Sequence, residues 1–177
     1  MGDRPLVLVG PMASGKTAVG QALARRAGLR FVDSDRRIVA RHGSIAEIFD
    51  REGEARFRSL EAGVVAAALG ESRVVLSLGG GAVLHPRTRE ALKDATVILL
   101  DTDLATVLPR ITGDSARPLL AGRPAERWQE LYDARRPVYT AVADLTIDTR
   151  ARTVAQVVDA VLAALPPAAT LPGRAPE

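Results

Sequence analysis

The sequence predicts an α/β fold, a doubly wound five-stranded parallel sheet flanked by helices. Three observations predict it. Short unbroken apolar runs recur at Leu6–Val9, Val74–Leu78, Thr96–Leu100 and Leu145–Ile147, with a weaker one at Leu29–Val32. Such runs suit strands buried on both faces of a parallel sheet. Helix-length segments separate them, at Lys16–Ala27, Gly53–Leu69, Pro86–Asp94, Ala105–Arg110, Ala125–Ala143 and Val154–Leu165. The length of 177 residues suits one domain, taken as 1–165, with a Pro-rich tail at 166–177 that reads as disordered.

Composition narrows the function classes. The absence of Cys removes disulfides, Cys-ligated metals and cysteine catalysis, and His42 and His85 are too few for a His-rich metal site. No apolar run approaches the roughly 20 residues that span a bilayer, and the N-terminus lacks a signal-peptide pattern, so a cytoplasmic protein with no membrane partner is expected. The net charge is +3 and the basic residues are nearly all Arg, Lys16 and Lys93 being the only lysines. With charges dispersed and aromatics at 3%, no nucleic-acid partner is expected.

Between the first strand and the first helix, Gly10-Pro11-Met12-Ala13-Ser14-Gly15-Lys16-Thr17 fits G-x-x-x-x-G-K-[ST]. Glycines let backbone N–H groups of the loop, including those at Gly10, Met12, Ala13, Ser14 and Gly15, turn inward on phosphates, and the helix N-terminus adds a favourable dipole. Lys16 can reach the β- and γ-phosphates, and the Thr17 hydroxyl can ligate Mg²⁺. The loop therefore predicts a P-loop NTPase fold that binds a nucleoside triphosphate. Neither lysine lies in the Asn-Lys-x-Asp segment that guanine-nucleotide switches need, which leaves a small-molecule kinase.

Asp33-Ser34-Asp35 follows the second strand, at the sheet edge where open parallel sheets bind ligands. If the strand conformation persists, period-two geometry puts both carboxylates on the same side. One could support Mg²⁺ through water and the other could accept a hydrogen bond from a substrate hydroxyl; helix capping is the plainer alternative for one of them. Residues 35–61 carry helical pattern without a strand. In that segment Glu54, Arg58 and Glu61 fall at i,i+4 and i,i+3 spacing, which orders Arg58 for a ligand or makes an ordinary solvated ion-pair face. Gly79-Gly80-Gly81, at the end of the third strand, would let a ligand approach backbone N–H groups closely. Residues 112–124, rich in Gly, Pro, Arg and Ala, read as a lid.

Taken together, the Gly10–Thr17 loop, Asp33-x-Asp35, Gly53-Glu54-x-x-Phe57-Arg58-x-x-Glu61, Ser77-Leu78-Gly79-Gly80-Gly81, Arg117-Pro118-Leu119-Leu120 and Arg135-x-Pro137-x-Tyr139 resemble shikimate kinase. The matches run in order from Leu6 to about Arg152. The resemblance implies a core like that of nucleoside monophosphate kinases, with residues 35–61 as shikimate-binding region and 112–124 as lid. It implies ATP- and Mg²⁺-dependent phosphorylation of the 3-hydroxyl of shikimate, toward chorismate and the aromatic amino acids, by a monomer. Asp35 would bind the substrate hydroxyls and act as base or orienter, with Lys16 and Arg117 neutralising phosphate charge. Arg58 and Arg135 would clamp the carboxylate, and the Gly80 backbone, between Gly79 and Gly81, would touch shikimate. Thr17 would ligate Mg²⁺ with Asp33 assisting through water. Arg110 and Arg152 match positions lining the adenine pocket, and Ile45, Phe49 and Phe57 match apolar walls of the shikimate site.

This sequence also departs from the family pattern. Ala13 stands where many members have Gly, a methyl tolerable there if φ is negative. The neighbouring Arg136 offers a second choice of carboxylate ligand, although the spacing to Pro137 and Tyr139 favours Arg135. A related kinase acting on gluconate would share the phosphate loop without needing Arg58, the triple glycine and Arg135. A non-catalytic regulator would have shed Lys16, Asp35 or the arginines.

Overall fold

The computed structural model describes residues 4–111 and 122–166. Five parallel strands, β1 (Leu6–Val9), β2 (Arg30–Asp33), β3 (Val74–Ser77), β4 (Thr96–Asp101) and β5 (Leu145–Asp148), form one sheet in the order β2-β3-β1-β4-β5. Helices α1 (Lys16–Ala27), α2 (Ser34–His42), α3 (Ile45–Leu69), α4 (Pro86–Ala91), α5 (Leu104–Ile111), α6 (Pro124–Val142) and α7 (Val154–Ala164) cover it. Strand pleat sends alternate side chains to opposite faces. Leu6 and Leu8 of β1 accordingly join Val19 and Leu23 of α1 and Val157, Val158 and Val161 of α7 on one face. Val7 and Val9 join Val65 and Ala68 of α3, Leu92 and Tyr139 on the other. The sheet is thus doubly wound, and this explains why its strands read as continuous apolar runs.

The helix boundaries follow local chemistry. Ser44 and Thr153 each close a capping box, with Glu47 and Gln156 respectively, which fixes the starts of α3 and α7. Gly53, at φ 79 and ψ 168, interrupts α3, so the helix expected to begin there is the second half of a longer kinked one. That conformation lies outside the range of most L-residues and lets residues 54–69 turn toward the sheet while Ile45–Glu52 packs on α2. Strand β2 starts one residue later than expected and includes Asp33, because Arg30 to Asp33 pair with Val74 to Ser77. Among the described residues no helix is long and apolar enough to cross a membrane.

The functional consequence is positional. All strands run the same way, so the segments after β1, β2, β3 and β4 emerge at one edge. At that edge the chain leaves β1 for the β2–β3 side and later returns to the β4–β5 side, the arrangement that opens a ligand crevice.

Candidate active site

The phosphate loop leaves β1 at Val9 and enters α1 at Lys16, with Gly15 as a left-handed N-cap at φ 93. A helix start without a side-chain cap leaves its first N–H groups for another acceptor. The Lys16 ammonium is buried and donates to the carbonyls of Gly10 at 2.9 Å and Pro11 at 2.6 Å, so the loop is wrapped around its own lysine. Thr17 donates its hydroxyl to Asp33 Oδ2 at 2.8 Å. Ala13 sits at φ 64, not at the negative φ under which its methyl is harmless. This left-handed geometry disfavours an L-residue by about 1–2 kcal/mol. Two donors hold the peptides on either side of its Cα. Trp128 Nε1 donates to the Met12 carbonyl at 3.0 Å and Arg110 Nη1 to the Ala13 carbonyl at 2.8 Å.

Strand β2 ends at Asp33 and α2 begins at Ser34, so the period-two argument for the acidic pair does not hold. The first turn of α2 converges the carboxylates instead. Asp33 serves the capping purpose weighed for it and also holds Thr17: Oδ1 caps α2 by accepting from the Arg36 N–H at 3.2 Å, while Oδ2 accepts from the Thr17 hydroxyl. Fully buried Ser34 accepts the Gly79 N–H at 2.9 Å and ties α2 to the end of β3. Asp35 lies against Gly79, where an added Cβ would overlap its Oδ1. Burial raises the Asp35 pKa above the ordinary carboxylate value and the Asp33 charge adds to this, while Lys16 and Arg58 pull it back.

Arg58 lies across the crevice floor. Its Nη1 donates to Glu61 Oε2 at 2.7 Å and its Nη2 to Glu54 Oε1 at 3.2 Å. The solvated-face alternative describes Glu54, which is exposed, but not Glu61, which is 0% exposed. Burial pushes Glu61 up to about 7 against the opposing charge and hydrogen bond of Arg58. Its Oε1 has no hydrogen-bond partner among the described residues. The glycines of the β3 turn make room for these groups: a Cβ on Gly79 would stand 2.6 Å from Glu61 Oε1, and one on Gly81 would overlap the Arg58 guanidinium. The close approach expected from a ligand is thus made first by the protein's own charged side chains. Gly80 turns its carbonyl to the Tyr139 hydroxyl, which donates to it, and lies beside Met12 of the phosphate loop.

Helix α6 supplies the remaining cation. Arg135 is 8% exposed and in hydrogen-bonding reach of the Tyr139 phenol, whereas the Arg136 side chain is 57% exposed and reaches Asp101 at 3.6 Å. Burial therefore separates the two candidates and puts Arg135 with Arg58, Glu61 and Gly80. Phe57 is buried beneath the Arg58 guanidinium, 5.1 Å from Cζ to ring centroid, and its ring centroid lies 4.9 Å from that of Phe49. Half-buried Ile45 and Phe49 complete this small α2–α3 core. Arg110 is exposed and engages Ala13 of the loop. Arg152 is exposed in the turn after β5, its N–H donating to the Thr149 carbonyl at 3.4 Å. Arg117 and lid positions 112–121 lie outside the described residues, as do 167–177 of the tail.

The family model for shikimate kinase matches residues 12–166. The chain belongs to the shikimate kinase family. It is 47% identical over 161 residues to the shikimate kinase of Streptomyces coelicolor, covering 90% of this chain and 94% of that protein. It is 49% identical over 160 residues to the shikimate kinase of Salinispora arenicola, covering 90% and 96%. Among solved structures it resembles Acinetobacter baumannii shikimate kinase in complex with shikimate, with a TM-score of 0.86, 37% identity and 90% of each chain covered. A gluconokinase from Sinorhizobium meliloti shares the fold at a TM-score of 0.64 and 20% identity, over 91% and 90% of the two chains.

Shikimate kinase motifs account for most of the crevice, but some contacts escaped the sequence reading. The Trp128 bond to Met12, the stacking of Tyr132 on Trp128 at 5.0 Å between centroids, and the Tyr132 bond to Asp101 Oδ1 at 2.7 Å are three of them. Their signal was available. Trp128, Tyr132, Arg135 and Tyr139 fall at i, i+4, i+7 and i+11, one stripe of a helix.

Proposed function

We propose that the chain transfers the γ-phosphoryl group of ATP to the 3-hydroxyl of shikimate, giving shikimate 3-phosphate and ADP. The observation that carries this reading is the pair of buried or half-buried arginines, Arg58 and Arg135, grouped with Asp35 around Gly79–Gly81 at the edge that bears the phosphate loop. A carboxylated polyol needs both features, a cationic fork for its carboxylate and an acceptor for its reacting hydroxyl. Glu54 and Glu61 hold the Arg58 fork in place, which reduces the ordering needed when a carboxylate binds. Membership of the family and the likeness to a shikimate-bound relative support the same substrate.

In this reading the backbone of Gly10–Gly15 and the α1 N-terminus receive the triphosphate. Lys16 exchanges loop carbonyls for phosphate oxygens. Asp35 accepts the proton of the attacking hydroxyl as the new O–P bond forms and the bond to the ADP oxygen breaks. Its raised pKa makes it a stronger acceptor than an exposed carboxylate. Because Thr17 directs its proton to Asp33, its oxygen lone pairs remain for a metal, and this hydroxyl–carboxylate pair fits a hard cation that keeps water and phosphate ligands. When bound, Mg²⁺ would neutralise charge on the transferring phosphates. Arg117, on the lid, would add a further positive charge. A monomer in the cytoplasm, with no nucleic-acid partner, completes the proposal.

The test is ADP release with shikimate, with gluconate and with no acceptor. Shikimate-dependent turnover with formation of shikimate 3-phosphate is expected. Turnover with gluconate alone, or binding of both ligands without product, would overturn the assignment.

A further inference from the structure

The phosphate loop of this chain has an unfavourable backbone at Ala13, and the residue that compensates for it lies outside the loop. We propose that Trp128 is a positioning residue for nucleotide binding: its indole N–H fixes the Met12–Ala13 peptide in the orientation that presents the Ala13 N–H to phosphate. The inference rests on the reading of Gly10–Thr17 as the triphosphate site.

A trans peptide is planar, so its carbonyl and the following N–H point in opposite directions. Trp128 Nε1 holds the Met12 carbonyl at 3.0 Å on the α6 side, which turns the Ala13 N–H away from α6. Before nucleotide draws Lys16 away, the neighbouring peptide of the loop is set in the same manner, by Lys16 on the Pro11 carbonyl at 2.6 Å, which orients the Met12 N–H. The Met12–Ala13 peptide is the one at risk. Ala13 is held at φ 64, where an alanine is disfavoured and rotation of the adjoining peptide brings relief. A Gly would need no such restraint.

Trp128 is built to resist that rotation. It is 1% exposed, stacks on Tyr132 with ring planes 12° apart, and packs with Val107 and Ile111 of α5 against Met12 and Ala13. Tyr132 is itself fastened to Asp101 at the end of β4 by the 2.7 Å bond. The indole nitrogen is therefore fixed relative to the sheet from which the loop springs. Arg110, by contrast, holds the Ala13 carbonyl from an exposed position and contributes less restraint.

Calorimetric titration of the full chain with ADP and Mg²⁺ tests this through a double-mutant cycle of Trp128→Phe and Ala13→Gly. Phenylalanine keeps a ring in the cluster and removes the N–H donor. Trp128→Phe should raise the ADP Kd about tenfold in the Ala13 background. In the Ala13→Gly background the same change should raise it less than about threefold, because glycine removes the strain that the bond restrains. The shikimate Kd should stay within about twofold throughout, whereas general loosening of the fold would weaken both ligands. Equal weakening of ADP in the two backgrounds, or none in either, overturns the proposal. Trp128 is the sole tryptophan, so a second measurement needs no variant: its emission should change saturably as ADP and Mg²⁺ are added to the wild-type protein. An emission indifferent to ADP also overturns it. Neither readout depends on the acceptor, so a failure of shikimate turnover leaves this test intact.

Discussion

Glu61 sets two effects against each other, the cost of removing a carboxylate from water and the benefit of holding Arg58. Burial dominates, and the group titrates at about 7 in the folded chain. A carboxyl raised above its unfolded value of 4.5 binds more protons folded than unfolded between those limits. Its stabilising contribution is complete below pH 4.5 and is lost as pH rises through about 7. Glu61→Gln should flatten that dependence. In urea unfolding at pH 5 and pH 8, wild type should lose on the order of 2 kcal/mol more than the variant. Parallel losses would show that Arg58 carries the carboxylate through folding without penalty. The spacing of Glu54, Arg58 and Glu61 was legible in the sequence, yet the difference between an exposed Glu54 and a sealed Glu61 was not. That difference comes from what packs over the helix, and Gly79 packs over Glu61.

The turn after β3 acts as a unit because its glycines are spacers for groups from α2 and α3. Three glycines in a row announced a close approach, and the sequence could not say by what. The structure answers with Asp35 and Glu61 at Gly79 and with Arg58 at Gly81. Gly81→Ala should displace the Arg58 guanidinium, and calorimetry should find the shikimate Kd raised about tenfold or more with the ADP Kd within about twofold. Unchanged shikimate affinity would remove Arg58 from the substrate site. The helix limits themselves were readable because caps and periodicity are local: α1 begins at Lys16 and ends at Ala27 as expected. Two element-level expectations failed, one through a nonlocal strand pairing and the other through the local Asp33 cap. Asp33 is drawn into β2 by pairing with Ser77, and α2 begins before Asp35, so a helical turn brings the acids together.

Across the whole molecule, stability and the site are carried by different layers. The sheet is sandwiched between two apolar clusters, one led by α1 and α7 and the other by α3 and α6. Ile98, fully buried in β4, belongs to the first and touches no proposed ligand group. Ile98→Ala should lower the unfolding free energy by about 2–5 kcal/mol while leaving KM for both substrates within about twofold below the new Tm. A loss under about 1 kcal/mol would mean that the cluster collapses around the gap. The sequence by itself determined the sheet, the phosphate loop, the acidic and arginine motifs and the family, because strand burial, loop chemistry and helix capping are written in residues close along the chain. The spacing to Pro137 and Tyr139 already favoured Arg135 over Arg136, and burial agrees; the tertiary structure alone decided that Glu61 is sealed while Glu54 is not, and that Ala13 is left-handed and tied through Met12 to Trp128. The Met12 contact joins residues 116 apart in sequence, and only the packing of α6 over the loop brings them together.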